Sequence, residues 1–174
     1  MLTRFDLNFR VQTDLLRLSL LQGSSETALL RREADGCVIV LPASFRFADA
    51  RHNAWLRRVV AGRLREAAIG RLPARTRMMA EAYGFRYFNR ITIKDIRSRW
   101  GSCSSLGNIN LSLWLMLLPG EFSDYVIKHE LAHLDEMNHG PRFWARLDAM
   151  TDDRARSLRR GLSAYFTEHY GHYR

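Results

Sequence analysis

Cysteine, lysine, acid and long apolar runs are all scarce in this chain of 174 residues. Its two cysteines, Cys37 and Cys103, stand far apart and form no C-x-x-C pair. That excludes a disulfide-built scaffold and points to a reduced compartment. The longest strictly apolar run near the middle, Leu113–Leu118, falls far short of the roughly 20 residues that span a bilayer. The N-terminal MLTRFDLNFR has no apolar centre of the secretory kind. A cytoplasmic protein without a membrane segment is therefore expected.

Lysine occurs only as Lys94 and Lys128, so nearly all the basic charge is arginine. Eighteen acids against 27 basic residues leave a net charge of +9. The excess is concentrated: from Arg51 to Arg77 eight arginines accompany the single acid Glu66. Clustered positive charge attracts nucleotides and nucleic acids, which makes 51–77 a candidate surface for either. A solvated helix face in an arginine-rich chain explains it without any ligand, and no recognised nucleic-acid module accompanies the charge. That second reading is preferred.

What is present is the composition of a folded protein, 47% hydrophobic and 26% charged, with length for one domain and a real core. We divide residues 1–174 into an N-terminal β-region (1–47), basic helices (48–84) and a metal-binding core (85–174). VQTDLLRLSL (11–20) and CVIVL (37–41) are rich in β-formers, separated by the polar QGSSE. From about Ala48, Trp55, Val59, Val60 and Leu64 recur at helical spacing, and Pro73 is expected to open a second helix closed by Gly84. FNRITIKDIRSRW (88–100) alternates like a strand, and SSLGNINLSLW (104–114) reads as its partner, with Gly107 and Asn108 near the turn. A helix is expected from Glu121 to Met137, another from Pro141, and a last one from Thr151, capped by its hydroxyl and favoured by Asp152 and Asp153. The fold class is α+β.

Chemistry concentrates in VIKHELAHLDEMNHGPRFW (126–144). His129 and His133, four apart on the expected helix, share one face and can share one ion. Zinc accepts neutral imidazole, and a catalytic zinc normally has three protein ligands and a water. Glu130, beside the first histidine, is placed to take a proton from that water, the role of the glutamate in H-E-x-x-H. His139 follows His133 by six residues, the spacing of H-E-x-x-H-x-x-G-x-x-H, but Glu136 stands where that pattern has glycine. The turn is then expected at Asn138 or Gly140. Asp135 and Glu136 are rival third ligands, and Cys103 is a further candidate, with His139 preferred. With six histidines and eight glutamates in 174 residues, H-E-x-x-H arises by chance about once in a hundred such chains.

The ordered set W-G-S-C, G-N-I-N-L, H-E-L-A-H and N-H-x-x-x-F-W, running from about Ile96 to Trp144, resembles the YgjP-like metallopeptidases, distant relatives of the SprT-like zinc proteases. The resemblance implies a zincin-like fold with a short sheet above the active-site helix. It also implies one zinc per chain on His129, His133 and His139, with Glu130 as general base. Peptides or proteins are then the expected substrate. Arg97 and Arg99, just before the expected strand turn, are candidates for steadying an oxyanion or holding a phosphate. Trp100 is assigned to the core, Phe143 and Trp144 to anchoring the next helix, and His52, His169 and His172 to the surface. Two other readings remain: a metal-dependent nucleoside triphosphate pyrophosphatase, and a nucleic-acid-associated protein with a secondary metal site.

Overall fold

A computed structural model describes residues 5–33 and 36–170. The N-terminal region forms a sheet of β1 (Arg10–Gln12), β2 (Arg17–Gln22), β3 (Leu29–Glu33) and β4 (Gly36–Leu41), in the order β1-β2-β4-β3. β2 runs parallel to β4, and the other two pairings are antiparallel. The strand expected over 11–20 is in fact two. The Thr13 hydroxyl accepts the amides of Leu15 and Leu16, turning the chain back on itself. β3 was not anticipated: every residue of LLRRE is exposed, so no alternation of buried and exposed positions marks it.

Asp49 accepts the amides of Arg51 and His52 and so starts α1 (Ala50–Ala82). The expected break at Pro73 does not occur, and the basic region is one continuous helix. Leu56, Val60, Leu64, Ala68, Leu72, Thr76 and Ala80 form an unbroken buried stripe at every fourth residue. Pro73 removes only the amide that would reach the carbonyl of Ile69. Ile69 is exposed, so water can satisfy that carbonyl. Gly84, at φ 77°, lets the Phe85 amide reach the Ala80 carbonyl and closes the helix as expected.

The second sheet has the order β5-β7-β6, from β5 (Arg90–Lys94), β6 (Gly101–Cys103) and β7 (Asn108–Ser112). The expected strand 88–100 stops at Lys94 because Ser112 captures the next segment. Its hydroxyl donates to the Ile96 carbonyl and its amide to that of Trp100. β5 therefore pairs parallel with β7, while β6 makes the hairpin around Gly107, at φ 71°. The expected strand 104–114 gives way at Leu113 to a buried 3-10 turn, Leu113–Leu117.

Three helices follow among the described residues: α2 (Gly120–Asp135), α3 (Pro141–Met150) and α4 (Ala155–Tyr170). Thr151 does not open α4; its hydroxyl donates to Leu147, and the Asp148 carboxylate takes the Ala155 amide instead. Asp152 and Asp153 carry the link at φ 52° and 59°, a left-handed conformation that Asp tolerates better than most residues. α1 packs on the 3-10 turn and β5, and α2 lies against β6, α3 and α4. One apolar core runs from Leu20 and Leu41 through Leu56 and Leu64 to Leu111, Ile127 and Phe143. The expected α+β architecture, with a small sheet on the histidine-bearing helix, is observed. No helix among the described residues is long and apolar enough to cross a membrane.

Candidate metal centre

α2 buries Tyr125, Val126, Ile127, Leu131 and Ala132, which fixes its rotation against the sheet. His129 and His133 then fall together, with ring centroids 5.0 Å apart. The helix ends at Glu136, whose φ of −137° and ψ of 102° are extended, a conformation open to any residue. This is why glycine is dispensable there. No residue of 136–140 uses positive φ; Gly140 is extended at φ −78°, ψ −176°, so neither it nor Asn138 makes the expected left-handed turn. The extended link swings His139 back until its Nε2 lies 3.1 Å from Nε2 of His129.

The candidate ligand atoms of His129, His133 and His139 all lie within 4.8 Å of one another. Tetrahedral zinc with Zn–N of about 2.0–2.1 Å needs ligand nitrogens about 3.3 Å apart, so the donor set fits such an ion. His133 Nδ1 donates to the Glu136 carbonyl at 3.0 Å, which fixes the tautomer that leaves Nε2 with a lone pair. His129 Nδ1 is buried without a hydrogen-bond partner among the described residues. Burial above all, then His133, His139 and Arg159, pushes the His129 pKa down to about 3. Burial also lowers that of His133. Both rings are thereby held neutral, the form that binds metal. The Phe143 ring, wholly buried, lies 4.9, 4.6 and 4.5 Å from the three imidazoles and braces them all.

Glu130, which follows His129 on α2, is buried, only 5% exposed. Burial raises its pKa to about 8, against an opposing pull from Arg99. A Cβ built on Gly101 would fall 2.6 Å from Glu130 Oε1, so β6 can approach the carboxylate only because that position is glycine.

The other expected residues divide. Arg99 is exposed and acts electrostatically on Glu130. Arg97 instead pairs with Asp95 at 3.6 Å and lies 5.4 Å over the Trp114 ring. Asp135 and Glu136 are engaged by Arg146 and Arg142 and stand outside the cluster. Cys103 also stands outside it, its thiol raised to about 11 chiefly by burial. Trp100 packs edge-on to Phe166, as a core residue should. His52 stacks on Phe45 and His169 on Tyr165, while His172 lies outside the described residues.

Residues 33–165 match the YgjP-like, metallopeptidase domain family. The chain belongs to that family. A comparison with curated proteins found no match. Among solved structures, the metallopeptidase zymogen abylysin of Pyrococcus abyssi is similar at 21% identity over 53% of this chain and 91% of its own, with a TM-score of 0.48. The zymogen jannalysin of Methanocaldococcus jannaschii is similar at 21% identity over 50% and 92%, with a TM-score of 0.40.

The YgjP-like match spans β4 to most of α4 and includes all three histidines. Within this YgjP-like domain, three contributors had escaped the sequence reading. Gly101 carries a signal in W-G-S-C, since an isolated glycine in a strand often marks close approach. Phe143 had been given only an anchoring role. Arg159, on α4, had none, because nothing local to it announces that it comes near His129.

Proposed function

We propose that the protein is a zinc-dependent peptidase, with His129, His133 and His139 as ligands and Glu130 as general base. The observation that carries this is the convergence of three imidazoles, two held neutral, together with the buried carboxylate that follows His129 on α2. Zinc in such a site supplies Lewis acidity, polarising a carbonyl and lowering a water's pKa toward about 7. Glu130 takes the proton of the attacking water on its carboxylate and passes it to the leaving amine. A pKa raised to about 8 suits it to both transfers near neutral pH. Arg99 keeps part of the carboxylate ionised and is the better placed of the two candidate arginines to steady a developing oxyanion. β6 is an edge strand packed on α2, so an extended peptide can add to it by backbone hydrogen bonds. Two unpaired cysteines suit a cytoplasmic setting.

The basic stretch 51–77 is partly committed to structural pairs, Arg63 with Glu66 and Arg75 with Asp14 and Asp124. The match to a metallopeptidase domain makes peptide bonds the preferred substrate. The test is turnover of casein and short peptides beside nucleoside triphosphates, in wild type and Glu130→Gln. Peptide cleavage is expected, reduced about 10²–10⁴-fold in the variant, which should keep its zinc. Triphosphate hydrolysis without peptide cleavage would overturn the assignment.

A further inference from the structure

Beyond the histidines, α3 and α4 frame a cavity of about 330 Å³, lined by Trp144, Arg156, Arg159, Arg160 and Ser163. Trp144 links it to the metal centre, its ring centroid 6.3 Å from that of His139. The Arg156 and Arg159 guanidinium carbons lie 4.6 and 5.9 Å from the centre of the same indole. The indole thus gathers two cations on one side of the site, and its face prefers such charges. Arg159 is near enough to depress the His129 pKa and to oppose the rise of Tyr125.

Arginines 156, 159 and 160 occupy i, i+3 and i+4 on one face of α4, where like charges repel. Nearby acids are committed elsewhere: Glu121 pairs with Arg154, and Asp148 caps α4. None of the three arginines makes an ion pair with a carboxylate among the described residues. A cavity next to the reacting centre, walled by unneutralised guanidinium groups and one aromatic face, has the chemistry of a carboxylate receptor.

We infer that this cavity is a specificity pocket for an acidic residue of the peptide substrate, held by Arg156 and Arg159 within about two residues of the scissile bond. The reach follows from geometry: one aromatic ring separates the pocket from His139, and an extended chain advances about 3.3–3.6 Å per residue. The assignment rests on the peptidase reading for its substrate class, yet it has a readout of its own.

The test pairs binding with cleavage. Fluorescein-labelled peptides that differ only by Asp or Glu against Asn or Gln are titrated by anisotropy into zinc-loaded wild type and the Arg156→Gln/Arg159→Gln variant. The same peptides are then assayed for hydrolysis. Wild type should favour the acidic member about 10–100-fold in Kd and in kcat/KM, the range of a charge-assisted hydrogen bond. The double variant should lose that preference, and Arg156→Gln alone, which leaves Arg159 beside His129, should weaken it while keeping the zinc and the kcat on the neutral peptide. Equal binding of the two members by wild type overturns the inference, whether or not either is cleaved. So does an acidic preference that survives in the double variant. Acidic preference in binding with no cleavage of any peptide keeps the pocket and removes the peptidase reading. Competition by inorganic triphosphate stronger than by the acidic peptide reassigns the pocket to phosphate and overturns the peptide assignment.

Discussion

Glu130 shows what one residue costs and returns. A carboxyl whose pKa is raised from 4.5 to about 8 disfavours its charged form by on the order of 5 kcal/mol. A structural position would seldom keep such a group, whereas a proton acceptor working near neutral pH needs it. Gly101 is the other half of this arrangement, since any side chain there meets the carboxylate. Gly101→Ala is expected to displace Glu130, lowering kcat at least tenfold with zinc content unchanged, and to cost about 1–3 kcal/mol in a denaturant melt. Unchanged kcat in that variant would show that the close approach has no catalytic consequence.

At the scale of elements, α2 carries His129, Glu130 and His133, the 136–140 link carries His139, and α3 carries Phe143, which braces the three imidazoles. Phe143→Ala should destabilise the fold by about 3–5 kcal/mol, as for other wholly buried phenylalanines, and should weaken zinc binding measured by competition with a chelator. Loss of stability with zinc affinity intact would reduce Phe143 to a core residue. α1 gives a pH-dependent case. The amides of His52 and Arg51 hold the Asp49 carboxyl below its usual 3.8. Its capping contribution is therefore present above pH 3.8 and fades as pH falls through the lowered folded value. Asp49→Ala should lower Tm near neutral pH, with the deficit vanishing in acid below that value. A deficit independent of pH would contradict it.

These elements also show what the sequence made legible. The H-E-x-x-H pair was readable because helical geometry converts spacing directly into proximity, and the third histidine because its six-residue spacing from His133 matches a known ligand pattern. Contributors from distant segments were not. Gly101 meets Glu130 and Arg159 nears His129 only through tertiary packing. The errors share a cause: a local rule was overridden by a contact elsewhere. Pro73 did not end α1 because the buried stripe continues past it, and strand 88–100 was cut short by Ser112. The glycine sought after His133 was unnecessary because an extended backbone makes the return.

The whole molecule carries a net charge of +9, with much of the excess along α1 and a separate cluster on α4. For the α1 face, diffuse charge without a recognition module predicts only loose DNA binding, with Kd about 10⁻⁴–10⁻⁶ M at physiological salt and weakening as salt rises. Nanomolar binding that persists in His129→Ala would instead make nucleic acid the principal partner. The central claim, that three histidines from a helix and its return link hold one catalytic metal, is tested most directly by zinc content. Elemental analysis of purified wild type, Glu130→Gln and His139→Ala is the measurement. About one zinc per chain is expected in the first two, and little or none in the third. Full zinc occupancy in His139→Ala would contradict the three-histidine centre.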